Sequence, residues 1–244
     1  MGTTTEYVRS FNRYELKYLL PHGRALDFVG DLAGTCRPDP HSDPARGYSV
    51  YSLYWDSPDL DFFWEKIDGQ KYRRKLRLRR YVDGDFAFVE IKQRIDRTVQ
   101  KRRVRLPLEL AARVFTERGV DPEAEYELQD PVGQEALFLC HSFDLRPTMA
   151  VLYRRRAWFG EYDAELRITL DSRVQYDPRA LDIREPFETG KYALSPDACV
   201  LEIKFNDRVP IWLTKLVARH ELSLVRYSKY CAAIDRERFG GNYT

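Results

Sequence analysis

The chain is poor in the residues that most often carry redox and metal chemistry. Its 244 residues include four histidines, four cysteines and two methionines. Cys36, Cys140, Cys199 and Cys231 are widely spaced and form no C-x-x-C pair. Neither a zinc-ligand pattern nor a disulfide-type framework is present, and free thiols in a reducing compartment are the expectation. His22, His41, His141 and His220 make no H-E-x-x-H. The absence of G-x-x-x-x-G-K-[ST] and of G-x-S-x-G removes the Walker-type phosphate loop and the nucleophile elbow. An apolar run of the roughly 20 residues needed to cross a bilayer is also missing. The first fifteen residues, MGTTTEYVRSFNRYE, lack the apolar core of a secretory signal. Gly2 touches the myristoylation pattern, but Glu6 stands where Ser or Thr is required. From these features an untargeted, cytoplasmic chain is expected.

An excess of either charge is lacking too. Lys and Arg number 40 against 38 Asp and Glu, for a net charge of +2. Bulk attraction to nucleic acid or to an anionic membrane is therefore not expected, and any anion site must come from local sorting of charge. Neither solenoid repeats nor low-complexity stretches interrupt the chain. The irregular segments, 36–47, 120–131 and 176–198, are too short for linkers, so one domain over 1–244 is expected.

What the sequence has in abundance is period two. Glu15 and Lys17 alternate with Tyr14, Leu16 and Tyr18, and Arg73, Lys75, Arg77 and Arg79 with Leu76 and Leu78. Glu90, Lys92 and Arg94 alternate with Val89 and Ile91, and Lys101, Arg103 and Arg105 with Val104 and Leu106. Arg167, Thr169 and Asp171 face away from Ile168 and Leu170, as do Glu202 and Lys204 from Leu201 and Ile203. Such runs are strands with one charged and one apolar face. Helical spacing predicts helices over 22–33, 107–119, 132–144, 209–220 and 223–238. Strands that follow one another and outnumber helices give an α+β fold with a large antiparallel sheet.

A sheet with one wet side would also alternate, but solvated faces mix residue types, and like charges set opposite one another destabilise. Here Arg dominates strand after strand. If the sheet closes with its apolar faces outward, the cations converge on one interior, where only a polyanion would balance them. The run KYRRKLRLRR at 71–80 could be a nucleic-acid patch, yet its leucines alternate with its arginines as in a strand. The aromatics fall mostly on core faces, and base stacking needs exposed ones. Phosphate without base is the better fit, and the Arg fork matches phosphate oxygens. E-x-K recurs as Glu15–Lys17, Glu90–Lys92 and Glu202–Lys204, each with an apolar middle residue. Glutamates beside cations suit Mg²⁺ or Mn²⁺ shared with substrate phosphates.

These residues resemble the VTC domain, the polyphosphate polymerase domain of the triphosphate tunnel (CYTH-like) superfamily. The resembling blocks are RYELKYLL (13–20), YSLYWDS (51–57), KLRLRRY (75–81), FVEIKQR (88–94), LYRRRAWF (152–159), ELRITLD (165–171), VLEIKFN (200–206) and RYSKY (226–230). The resemblance implies a closed eight-stranded antiparallel β-barrel, a triphosphate tunnel with helices packed outside. It implies Arg77, Arg79, Arg155, Lys229 and Glu202 as catalytic residues. Lys17, Lys92, Arg103, Tyr153, Arg167, Lys204, Arg226 and Ser228 would bind phosphate, and Glu202, Glu90 and Glu15 would hold Mn²⁺ or Mg²⁺. The superfamily signature E-x-E-x-K lacks its first carboxylate here, where Arg13 stands, so more of the metal binding falls on Glu202. The implied substrates are ATP and inorganic tri- or polyphosphate, with no nucleic acid and no membrane segment. Polymerisation of the ATP γ-phosphate is the leading reading. Hydrolysis of tripolyphosphate or nucleoside triphosphate, and polyphosphate binding without catalysis, are the alternatives.

Overall fold

The computed structural model describes residues 5–6, 13–43, 45–82, 84–96, 98–163, 165–206 and 208–243. Among these residues eight long strands form one strongly curled antiparallel sheet: β1 (Arg13–Pro21), β2 (Tyr48–Asp56), β3 (Tyr72–Tyr81), β4 (Phe86–Ile95), β5 (Thr98–Pro107), β6 (Arg146–Gly160), β7 (Arg167–Asp177) and β8 (Ala198–Asn206). Their order across the sheet is β5-β4-β3-β2-β6-β7-β8-β1. Short segments add to it: Thr5–Glu6 pairs with β5, Cys36–Pro38 with β6 and Lys191–Tyr192 with β7.

The alternation in the sequence decides which side is convex. Leu76, Leu78, Val89, Ile91, Val104 and Leu106 are fully buried and pack under helices α3 (Leu108–Val114) and α4 (Pro131–Phe143). Farther round, Ile168, Leu170, Leu201 and Ile203 pack under α1 (His22–Gly30) and α5 (Ile211–Arg219). A proline stands at the start of each of these helices: Pro21, Pro107 and Pro210 immediately precede α1, α3 and α5, and Pro131 is the first residue of α4, where its missing N–H is an orphan anyway. In α4, Pro131 follows an Asp130 carboxylate that accepts from the Val132 and Gly133 amides.

The concave side is divided. A third apolar cluster joins Met149, Val151, Val174 and Val200 to α2 (Asp61–Ile67) and α6 (Lys229–Ile234). Parity alone would send Val174 to the face opposite Asp171. Arg173 sits at φ 50° where the β6–β7 register shifts, an extra residue that resets the alternation. Asp56, at the end of β2, accepts from the Phe62 and Phe63 amides at 2.9 and 3.0 Å and also from the Tyr230 hydroxyl. One buried carboxylate thereby caps α2 and fixes α6.

The expected closed barrel is corrected to an open one. Among the described residues β1 and β5, which would have to pair, do not form a ladder. Each edge already has a partner in part of its length. Thr5–Glu6 lies along β5, while Tyr18 bridges Leu224 and the Val225 amide donates to the Lys17 carbonyl at 2.9 Å. The gap is crossed by a side-chain pair, Lys92 to Glu15 at 3.1 Å. The same contacts explain why the expected helix over 223–238 begins only at Lys229, because residues 224–225 are committed to the β1 edge. The helix expected over 107–119 stops at Val114, where Phe115–Thr116 and Gly119–Val120 form a hairpin. Helix α2 was not anticipated.

Candidate functional site

Every strand sends charge to the concave face, β2 only through Asp56 at its end, and strand register sorts most of it into rows. Arg77, Glu90 and Arg103 stand opposite one another across β3, β4 and β5. One step along the strands the row is Lys75, Lys92 and Lys101. Three buried carboxylates organise the cations around them. Glu90 takes Arg77 at 2.6 Å, Lys101 at 2.8 Å and Arg79 at 3.8 Å. Glu202 takes Lys204 at 2.7 Å, Lys229 at 3.2 Å, Lys17 at 3.3 Å and Arg155 at 3.4 Å. Asp171, fully buried, receives both Nε and Nη2 of Arg155, at 2.6 and 2.7 Å, and Lys229 at 2.5 Å.

Burial works against each of these charges, yet the surrounding cations win. Lys17, Lys204, Lys229 and Arg155 hold the Glu202 carboxyl well below the usual carboxylate range. Arg77, Arg79 and Lys101 do the same for Glu90, and Arg155 and Lys229 for Asp171. The cations remain in excess. Lys75 has no carboxylate partner among the described residues; its ammonium donates to Ser228 Oγ at 2.6 Å. Burial, with Lys17 and Lys92 nearby, holds it below its ordinary value. Arg79 Nε, Arg167 Nε and Thr169 Oγ1 are buried and lack hydrogen-bond partners among the described residues. Such orphans cost free energy that an incoming oxygen acceptor returns.

The structure therefore brings together Lys17, Arg77, Arg79, Lys92, Arg155, Lys204, Lys229, Glu15, Glu90 and Glu202 on one concave face. Arg103 lies on it over the Phe88 ring. Tyr153 forms a buried aromatic surface with Lys229 at 4.8 Å and Arg155 at 5.3 Å from its ring centre. Arg167 reaches Asp39 at 3.1 Å, toward one end. Arg226 is exposed and set apart from the carboxylates. Among the three glutamates expected at a metal, Glu15 and Glu202 share Lys17 and Lys204. Glu90 shares no cation with either, because its partners lie on β3 and β5.

Sequence reasoning placed Asp171 and Lys75 on charged strand faces without giving them a role, expected one cation from 101–103 and chose Arg103 over Lys101, and passed over Tyr54. Tyr54 accepts from Arg77 Nη1 at 3.0 Å; burial would raise its hydroxyl, but Arg77, Lys75, Arg79 and Lys229 outweigh burial and lower it. The aromatics also need correction. Tyr48, Tyr54, Tyr81, Phe86 and Phe88 share the parity of the charges, although the sequence suggested core faces. Tyr48 meets Tyr81 at 5.5 Å and Tyr81 meets Phe88 at 6.1 Å, edge to face.

Among the described residues no group of three or more His, Cys, Asp or Glu converges on a point. Glu15 and Glu202 are hard oxygen donors on adjacent strands, which fits Mg²⁺ or Mn²⁺ better than zinc or iron. With two carboxylates, most ligands to such an ion would be phosphate and water oxygens.

Lys101 offers a pH test. Burial and repulsion from Arg79 and Arg77 push its ammonium down from 10.5 to about 7, because Glu90 is already shared with two guanidiniums. Its side chain is 37 % exposed, so it exchanges protons freely. Empty, the group is largely neutral above pH 7, and a bound polyanion raises its pKa. Tripolyphosphate binding near pH 8 is therefore expected to take up a proton. Calorimetry in buffers of different ionisation enthalpy reads that uptake, which should vanish in Lys101→Met. Proton release, or uptake unchanged in the variant, would refute the assignment.

A family model described as the VTC domain matches residues 12–237. Vacuolar transporter chaperone complex subunit 4 of Schizosaccharomyces pombe is 27% identical over 281 aligned residues, covering 94% of this chain. The chain spans 37% of that relative's length. Among solved structures, a Bacillus halodurans protein described as a candidate adenylate cyclase matches with a TM-score of 0.50 at 14% identity. That match covers 98% of this chain and 100% of the other, and the likeness is one of fold.

Proposed function

The chain belongs to the VTC domain family, and from that premise we propose that it transfers the γ-phosphoryl group of ATP to the end of a polyphosphate chain, releasing ADP. The observation that carries this reading is the excess of cations on the concave face, with buried donors on Arg79, Arg167 and Thr169 lacking acceptors among the described residues. A phosphate chain supplies closely spaced acceptor oxygens to match. The oxygen bridging the β- and γ-phosphates leaves with its electron pair on ADP. A terminal oxygen of the acceptor chain supplies the new bond, so the chain grows by one unit and no proton is needed.

Such a reaction asks for in-line positioning and cancellation of charge rather than for a protein nucleophile. Arg77 and Arg79 on one wall and Arg155 and Lys229 on the other would stabilise the charge on the transferred group. Lys17, Lys92 and Lys204 would hold neighbouring phosphates. Glu202, helped by Glu15, would hold Mg²⁺ or Mn²⁺. When bound, such an ion neutralises charge on phosphate oxygens.

The test is to incubate purified protein with ATP and Mn²⁺ and to separate the products. Long-chain phosphate with ADP is the expected outcome. Orthophosphate without chains would make the protein a hydrolase, and bound polyphosphate with no turnover would make it a binding module. Arg77→Ala, which removes one side of the Glu90 hub, should abolish turnover; full activity in that variant would sink the site assignment.

A further inference from the structure

Two rows of the concave face differ in kind. The Arg77 row contains Glu90 between its cations. The rows beyond it do not: Lys75 stands opposite Lys92, and one step farther Arg73 stands opposite Arg94, on the same face and in register. Like charges directly opposite one another destabilise a sheet. Their cost is offset when an anion lies between them. Arg226, two residues before the Ser228 that receives Lys75, adds its charge to Arg73, and Lys66 on α2 feels Arg73, Arg226 and Lys17. Among the described residues none of Lys66, Arg73, Arg94 and Arg226 forms an ion pair with a carboxylate. Burial and these neighbours hold both Lys66 and Arg73 below their ordinary values.

Rows two residues apart are separated by about 7 Å along a strand, so the Arg73 row is roughly 14 Å from the Arg77 row. A triphosphate seated among Arg77, Arg155 and Lys229 does not extend that far. We infer that Lys66, Arg73, Arg94 and Arg226 form a second anion subsite at one mouth of the concave face, which holds the distal phosphates of a linear polyphosphate whose reacting end lies at the Arg77 row. The inference rests on the proposed function and adds chain length to it: the mouth selects long chains over tripolyphosphate. Inorganic polyphosphate is favoured over a nucleic acid because its phosphates follow one another without sugars or bases, and this mouth offers a dense set of cations.

The experiment is equilibrium binding of tripolyphosphate and of long-chain polyphosphate to the full chain, without ATP or metal. It compares wild type with an Arg73→Ser, Arg94→Ser double variant and with Lys66→Ser. The double variant should bind the long chain at least about tenfold more weakly, with a salt dependence lowered by about two phosphate contacts. Its tripolyphosphate affinity should stay within about twofold of wild type. Its melting temperature without ligand should not fall, since repulsion is relieved, and Lys66→Ser should show a smaller loss of the same pattern from outside the sheet. Unchanged long-chain affinity, or equal loss for both anions, overturns the subsite while leaving the proposed function in place. Single-stranded RNA bound as tightly as polyphosphate, and losing as much in the variants, also overturns it. A wild-type chain that binds neither anion defeats the proposed function, and the subsite with it.

Discussion

Glu202→Gln is expected to lower ATP turnover by roughly a hundredfold or more, the scale of losing one preorganised electrostatic group, while tightening metal-free binding of tripolyphosphate. The two effects share one cause. Glu202 is buried and touches Lys17, Lys204, Lys229 and Arg155. With its charge removed, Lys17 and Lys204 keep only Glu15, and Arg155 and Lys229 only Asp171, as carboxylate partners among the described residues. The cations then outnumber their carboxylates further, and an anion binds more strongly. Productive binding is a different matter, since the same carboxylate would share a divalent ion with the substrate and keep Lys229 and Arg155 apart. Dependence of tripolyphosphate binding on Mn²⁺ should weaken in the variant, which calorimetry reads without any turnover. Near-normal turnover, or weaker metal-free binding, would remove Glu202 from the centre of the site.

Asp171→Asn should lower the melting temperature by on the order of 10 °C. Removing one partner of a buried ion pair costs about 3–5 kcal/mol, and a chain of this size loses about 2–4 °C per kcal/mol. Asp171 holds Arg155 through two bonds and Lys229 through a third. Asparagine keeps the shape and loses the charge. The role is one of positioning: without the carboxylate, both cations are left to share Glu202. Tripolyphosphate should therefore restore more of the melting temperature in the variant than it adds to wild type, because the anion supplies the missing charge. A residue that mattered only to packing would show no such excess.

Both carboxyls tie stability to pH in the same sense. Each is held below its ordinary value, 3.8 for Asp171 and 4.5 for Glu202, in the folded protein. The unfolded chain binds protons first as pH falls, so their contribution is present above those values and is lost as pH drops through the depressed ones.

The strands and their two faces were legible because a period of two needs only local sequence. Leu76 and Leu78 against Arg77 and Arg79 leave little doubt which side meets the helices. The helices under β4 and β8 were legible for a similar reason, their opening prolines. Asp171 was not, although it closes ELRITLD, because its meaning lies in standing directly across from Arg155 on β6. An Asp on the charged face of a strand looks the same whether it faces water or two buried cations. Helix α2 escaped because DFFWEKI is short and shows no clean periodicity, and its start depends on Asp56 and Tyr230, which are 174 residues apart. The aromatic face of β2 was ambiguous for a related reason: in VYSLYWD both parities carry rings, so alternation assigns neither to the core. Closure of the sheet was the largest misreading. Eight strands suffice for a barrel, but what happens at the seam depends on Thr5–Glu6 and Leu224–Val225, whose sequences carry no pattern.

Those two coverings bear on something other than phosphate. An unpaired strand edge presents a row of amides and carbonyls that a second chain can adopt, which is a common route to aggregation. An open sheet has two such edges where a closed one has none. Here each is partly occupied by a piece of the same polypeptide, on β5 by two residues near its start and on β1 by the stretch before α6. The molecule thus leaves its concave face open at the seam while offering neighbouring copies less backbone to pair with, and these few residues guard its edges rather than serve its chemistry.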